Sequence, residues 1–171
     1  MQQQEFSETI MVFRHKMYRF ALGYLKDDED AKDVVQDVMI KLWETRSELK
    51  EKLNLEAWCM SLTRNKALDR IKQVGRKRKS DLDEVSPEVF SHSFSPLRVV
   101  SDLESHAHIT RFAAALPEKQ QATFQLRDME GYSYLEIGEM LNIDINQVKV
   151  NIFRARKAIR ENLVKLYSYG Q

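Results

Sequence analysis

"SYLEIGEMLNIDINQVKVNIF", residues 133 to 153, holds two helix starts eleven residues apart. Ser133 with Glu136, and Asp144 with Gln147, have the spacing of capping boxes, in which each side chain satisfies a backbone N–H left open at a helix start. Between the starts, Ile137 and Leu141 are spaced to face inward, and Gly138 is small enough for two helices to meet. Asn142 can take the left-handed turn that glycine would otherwise supply, and Ile143 is placed to plug the turn. The stretch predicts a helix-turn-helix.

The second helix continues through "NQVKVNIFRARKAIREN" (146 to 162). Val148, Ile152, Ala155, Ile159 and Leu163 share one face at helical periodicity. The opposite side carries Asn146, Val150, Phe153, Arg154 and Lys157, with Gln147, Lys149 and Asn151 on its edges. Such a face is either solvated or laid against a polyanion. In helix-turn-helix units the N-terminal residues of this helix reach base edges while basic groups hold phosphates, and Asn and Gln can pair bidentately with adenine. A membrane-surface helix is disfavoured, because the apolar face reads as a domain core.

Upstream, Ile109, Phe112, Ala113 and Leu116 open the same helical unit, Pro117 sits where a first helical residue is expected, and Gly131 marks a stop. Residues 80 to 105 hold serines, two prolines and no sustained periodicity, and read as a flexible linker. In the N-terminal part, Phe6, Ile10, Phe13, Met17, Phe20 and Tyr24 predict one helix of about 20 residues. The pairs Val34/Val35, Val38/Met39 and Leu42/Trp43 predict a second. Leu55, Trp58, Cys59 and Leu62 begin a third, whose apolar line is expected to run on through Asn65 and Asp69 as the helix leaves the core. No strand alternation or repeat appears. The fold class is all-α: two small helical domains, 1–79 and 106–171, joined by the linker 80–105.

The net charge of +1 hides an asymmetry. Acidic groups crowd residues 26 to 56, whereas Arg64, Lys66, Arg70, Lys72, Arg76, Lys77, Arg78 and Lys79 crowd 62 to 79. Acidic and basic faces of this kind predict more than one partner. The single cysteine, Cys59, sits between Trp58 and Met60 and is expected to pack in the core. Four scattered histidines and one cysteine offer no metal site, and no phosphate loop or nucleophile motif appears, so neither catalysis nor a cofactor is expected. No apolar run is long enough to span a bilayer, and "MQQQEFSETI" lacks the segments of a signal peptide, so the expected location is cytoplasmic, without membrane insertion.

Together the two halves resemble the small two-domain bacterial sigma factors of the extracytoplasmic-function type. "DAKDVVQDVMIKLWE" (30 to 44) is similar to the family's segment that docks on the beta-prime clamp of RNA polymerase. "LEAWCMSLTRNKALDRIKQ" (55 to 73) resembles its segment for promoter melting and minus-ten recognition, and 116 to 163 its minus-thirty-five domain, which also meets the beta flap. The resemblance implies core-binding roles for Asp33, Gln36 and Asp37, on the side of their helix away from the valines and shared with Ile40 and Glu44. It implies minus-ten contacts for Asn65, Lys66, Arg70, Lys72 and Arg76, where the alternative for Asn65 and Asp69 is hydrogen bonding inside a helical core. For minus-thirty-five DNA it implies Asn146, Gln147, Lys149, Val150, Asn151, Arg154 and Lys157.

By the same resemblance, "RSELKEKLN" (46 to 54) aligns with a loop that captures a flipped base, and the linker's Asp81, Asp83, Glu84 and Glu88 would enter polymerase channels. An anti-sigma factor is an implied partner. The sequence departs from the family where Gly, Thr and Ser are common and Asn146, Gln147 and Val150 stand. It departs again where Asn151 replaces an arginine, Phe153 a histidine and Asn142 a turn glycine. These departures bear on promoter sequence. The competing function is a helix-turn-helix repressor or activator with an N-terminal dimerisation or sensing domain.

Overall fold

The computed structural model describes residues 3–49, 52, 54–80 and 101–169. All regular structure among them is helical: α1 (Gln3–Met11), α2 (Arg14–Leu25), α3 (Asp28–Glu44), α4 (Leu55–Ser80), α5 (Ser101–Ala114), α6 (Glu118–Phe124), a π-helical segment (Gln125–Met129), α7 (Tyr134–Leu141) and α8 (Ile145–Ser168).

The single first helix expected from periodicity is two. The Phe13 N–H reaches back only three residues, to Ile10 O at 3.0 Å, and this tighter turn separates α1 from α2. The apolar stripe survives the break, since Phe6, Ile10, Met17, Phe20 and Tyr24 are all buried. The acidic "DDED" turn proves to be a helix start. Asp27 caps α3 by accepting from Asp30 N at 2.8 Å, and Asp28, Glu29 and Asp30 lie in the first turn, where the helix dipole favours anions.

In α4 the start of the core line stands as the spacing predicted, with Cys59 buried and Leu55, Trp58 and Leu62 packed against the core, but beyond it the buried line runs through Thr63 and Ala67, while Asn65 and Asp69 are exposed. Small residues at 63 and 67 let α4 lie close against α2 and α3, and the Thr63 hydroxyl, buried, donates to Cys59 O at 2.8 Å. Burial pushes the Cys59 thiol up to about 12, which leaves it a packing residue. Two edge-to-face pairs, Phe6 with Trp43 and Phe20 with Tyr24, complete the N-terminal bundle.

Pro117 is the N-cap of α6, one position earlier than expected, and Gly131 ends the following turn at φ 81°. α5 begins at Ser101, inside the stretch expected as linker; most of that stretch, 81–100, lies outside the described residues, as do the acidic groups expected to act there. The C-terminal helices enclose a small cluster of Ala113, Phe124, Ala155 and Ile159, with Ile109, Phe112, Leu116 and Leu163 against it. The main core does not stop at the N-terminal helices. It runs from Phe20, Tyr24 and Met60 into Ala122, Leu126, Tyr132, Ile137, Met140, Leu141, Val148 and Ile152, so the two helical domains are packed on one another.

Candidate nucleic-acid interface

Both capping boxes form. Ser133 Oγ accepts from Glu136 N at 3.2 Å while Glu136 Oε2 accepts from Ser133 N at 2.8 Å. Asp144 Oδ1 accepts from Gln147 N at 2.9 Å while Gln147 Oε1 accepts from Asp144 N at 3.2 Å. The Ser133 backbone N–H, and then its hydroxyl, hold the Glu136 carboxyl below the usual range. Between the boxes Asn142 takes φ 52° and ψ 51°, and its N–H bonds Gly138 O, as does the Ile143 N–H at 3.0 Å. A Cβ on Gly138 would sit 2.9 Å from the Ile143 carbonyl oxygen, so the close approach requires glycine.

This turn sets α8 with Val148, Ile152, Ala155 and Ile159 buried. Asn146, Lys149, Val150, Arg154 and Lys157 face outward, and so does Phe153, 68% exposed. Exposed Leu135 and Ile145 add apolar surface beside them that the sequence reading missed. Two of the base-reading candidates already have local partners. Gln147 spends its carbonyl oxygen on the cap, and half-buried Asn151 donates to Gln147 O at 2.8 Å. Arg156 forks onto Asp128 at 2.9 and 2.6 Å, which ties α8 to the turn below and makes it a structural cation.

The acidic and basic segments do not form separate faces, as the charge map implied. α3 and α4 pack together, and their charges pair: Lys66 with Asp37 at 3.1 Å, and Arg70 with Asp30 at 2.7 Å and Asp33 at 3.6 Å. Candidate core-binding acids thus neutralise candidate phosphate holders. The Asp30 hydrogen bond raises the Arg70 guanidinium further. These pairs are about a third to a half exposed, where solvent screening leaves an ion pair little net stabilisation. Asn65 and Asp69 are exposed and do not serve as core hydrogen-bonding groups. Gln36 and Lys72 are also exposed, and the Arg76 side chain lies outside the described residues.

A set of partly buried polar groups joins the two domains. Glu118 of α6 accepts from Arg64 Nε at 2.9 Å, Arg64 Nη2 at 3.2 Å and the Tyr24 hydroxyl at 2.5 Å. Arg19 forks onto Glu130 at 2.6 and 2.7 Å, Tyr132 donates to Glu56 at 2.5 Å, and Lys16 meets the same Glu56 oxygen at 2.6 Å. Burial alone would push Glu118 up, but Arg64 and Tyr24 together hold its carboxyl below the usual range; burial and Glu118 push Tyr24 up. Gln125 Nε2 donates to Arg19 O at 2.7 Å, and Gln121 Nε2 donates to Gly23 O. None of this was read from the sequence. One signal was available: Gly23 lies inside a helical pattern, where glycine marks a close approach. Ser61, Arg64 and Asn65 of α4 form one wall of an open cleft of about 570 Å³. Lys119, Glu139, Met140 and the turn Leu141–Asn142–Ile143 form the other.

Two family models match in this order: "Sigma-70 region 2" over residues 10–77 and "Sigma-70, region 4" over residues 108–159. The chain is 28% identical over 158 residues to the "ECF RNA polymerase sigma factor SigE" of Mycolicibacterium smegmatis, covering 92% of this chain and 61% of that one. It is 27% identical to the "ECF RNA polymerase sigma factor SigW" of Bacillus subtilis, covering 94% and 90%. Among solved structures, the sigma factor RpoE of Bartonella quintana, crystallised with the anti-sigma factor NepR, has the same fold at a TM-score of 0.76 and 23% identity, covering 94% of this chain and 97% of that one. The chain belongs to the sigma-70 family: it is a sigma factor of the extracytoplasmic-function type, a non-enzymatic factor that directs RNA polymerase to start transcription at specific promoters.

Proposed function

We propose a division of labour within that activity. Residues 1–79 dock on the beta-prime clamp through Asp33, Gln36 and Asp37 and open the minus-ten element with Asn65, Lys66, Arg70, Lys72 and Arg76. The segment 80–105 links them to residues 106–171, which read the minus-thirty-five element with Asn146, Lys149, Val150, Arg154 and Lys157 and meet the beta flap. Gln147 and Asn151 read bases only by giving up the local bonds described above. The observation that carries the reading is the start of α8: a doubly capped helix end whose core face is fully used and whose other face presents amide, cationic and apolar groups together.

The minus-ten half is supported by exposed Asn65 beside Lys66, Arg70 and Lys72. Single strands are held by a basic track with groups that take unstacked bases, and each phosphate neutralised on duplex DNA steepens the salt dependence by about 0.9 log units. Acids at 33 and 37 would steer docking onto a basic clamp more than supply affinity. Action on RNA polymerase and promoter DNA places the work of this family in the cytoplasm, and among the described residues no helix is long and apolar enough to cross a membrane. The Bartonella neighbour was solved with an anti-sigma factor, and we propose a partner of that kind here.

The test is run-off transcription with purified core polymerase on genomic fragments. Promoter-specific transcripts are expected only when this chain is added. A chain that instead shifts a palindromic duplex unaided and yields no transcript would be a repressor. For the docking residues, Asp33→Arg with Asp37→Arg should weaken core binding while helicity survives; unchanged core binding removes that assignment.

A further inference from the structure

We infer that Asp30, a residue given no contact with polymerase or DNA above, keeps the unaccompanied chain off bare nucleic acid and so leaves it to polymerase. The inference rests on the proposed division of labour, in which Lys66 and Arg70 hold minus-ten phosphates. Asp30, Asp33 and Asp37 are spaced by three and four residues along one face of α3. Opposite them, Lys66 and Arg70 stand four residues apart on α4. Arg70 Nε and Nη2 both donate to Asp30 Oδ1, at 3.0 and 2.7 Å, and Nη2 lies 3.6 Å from Asp33. Lys66 Nζ lies 3.1 Å from Asp37.

Partly exposed pairs of this kind add little to the stability of the fold. Their larger effect is on what else the two cations can hold. Nε and Nη2 form one of the guanidinium edges that fork onto a phosphate, and Asp30 occupies that edge as a phosphate would. A strand that takes Arg70 must break those bonds and then lie beside the released carboxylate, with Asp33 close by. Three aspartates set against two cations leave this face without net positive charge, although the sequence of α4 is basic. Binding to nucleic acid of arbitrary sequence is supplied by phosphate contacts, so the cost falls on it in full. Polymerase docking on Asp33 and Asp37 needs no phosphate, and a charge set against the wrong partner discriminates between the two.

Glu29 gives the control. It precedes Asp30 in the chain and carries the same charge, but its carboxylate meets Lys32 of its own helix at 3.2 Å. Asp28 also holds Lys32, at 2.5 Å, so removing Glu29 frees no cation. Asp30→Ala and Glu29→Ala therefore change the net charge equally and differ in whether Arg70 is released.

The experiment is fluorescence titration of a mixed-sequence single-stranded oligonucleotide over a salt series. It uses the full chain, Asp30→Ala, Glu29→Ala, Arg70→Gln and the Asp30→Ala/Arg70→Gln double variant, each titrated also with purified core polymerase. Asp30→Ala should bind the oligonucleotide about two- to fivefold more tightly than Glu29→Ala at low salt, the worth of the pair it removes. Its salt dependence should steepen by up to about 0.7 log units, one further phosphate on a single strand. Arg70→Gln should abolish the gain. In run-off transcription, mixed-sequence competitor DNA should silence Asp30→Ala at a severalfold lower concentration than wild type. A gain no larger than that of Glu29→Ala overturns the inference, and so does a gain that survives Arg70→Gln. Weaker core binding with no gain on the oligonucleotide also overturns it and makes Asp30 a docking residue. If Asp30→Ala loses helicity, Asp30→Asn, which keeps the shape and drops the charge, decides in its place. Promoter transcription by Arg70→Gln separates the two readings. Transcripts lost there, with Asp30→Ala no different from Glu29→Ala, refute this inference only; transcripts unchanged there, with the gain present, refute the minus-ten role of Arg70.

Discussion

Adding one methyl group at Gly138 should destabilise the molecule, and the same addition at Gly75 should stabilise it. Both glycines are helical, and replacing glycine by alanine in a helix interior gains about 0.5–1 kcal/mol. At Gly75 a Cβ would meet nothing within 4 Å, so the gain stands unopposed. At Gly138 the Cβ would lie 2.9 Å from the Ile143 carbonyl oxygen, a backbone atom in a turn pinned by the left-handed Asn142 and by the Ile143 N–H bond to Gly138 O. Relief requires the turn to back away by about 0.5 Å, and overpacking of this kind costs about 1–3 kcal/mol. The net effect is a loss of up to about 2 kcal/mol.

At about 2–4 °C per kcal/mol for a chain of this size, Gly138→Ala should lower the melting temperature by up to about 8 °C, while Gly75→Ala raises it by about 1–4 °C. Far-ultraviolet circular dichroism on the two variants reads both shifts. Because the turn sets α8 against α7, promoter-specific transcription by Gly138→Ala should fall further than its stability does. Melting temperatures that rise together would refute the reasoning, since the two sites differ only in what surrounds the added carbon.

Asp144→Ala should lose the α8 cap and about 1 kcal/mol of stability, whereas Asp144→Asn keeps the cap and removes a negative charge beside the proposed DNA face. The asparagine variant should melt near wild type and bind promoter DNA more tightly at low salt, by filter binding. The domain contact should weaken in acid. Glu118, faced by Tyr24 of α2 and Arg64 of α4 with Lys119 beside it, has its carboxyl held low by Arg64 and Tyr24; the stabilisation is full above the ordinary carboxylate range and is lost as pH falls through the lowered value. Scattering from neutral to acid pH should show expansion before helicity is lost, and Glu118→Gln should flatten that dependence. Cys59, buried with its thiol pushed up, should resist a thiol reagent in the native chain and react at the rate of unfolding in denaturant. Rapid native labelling would contradict that burial.

What could be read from the sequence was what acts over three or four residues. Both capping boxes, the Asn142 turn, the Gly138 approach and the buried face of α8 are local patterns, and each stands where the spacing put it. The α1 to α2 break was invisible because a tightened turn preserves the apolar stripe. The continuation of the α4 core line carries little hydropathy signal, because the residues that are buried beyond Leu62, Thr63 and Ala67, are small or polar. The docking of the domains was out of reach. Arg64 meets Glu118 across 54 positions and Arg19 meets Glu130 across 111, and a charge in a list of charges carries no mark of its distant partner. The pairing of Lys66 with Asp37 escaped for the same reason, since it depends on how α3 and α4 cross.

The π-helical segment acts as a phase setter between two machines. The Glu130 N–H reaches Gln125 O at 3.1 Å, five residues back, so this turn holds one residue more than an α turn. Ahead of it, Glu118 and Gln121 point at α4 and α2; within it, Gln125 at its first position holds Arg19 O of α2, and Asp128 near its end grips Arg156 of α8. Deleting a single residue here would restore an α turn and rotate everything upstream by about 100° relative to everything downstream. α8 and the domain contact would each keep every side chain, yet the two would no longer be aimed at their partners together. One surplus residue therefore keeps domain docking and DNA reading in register.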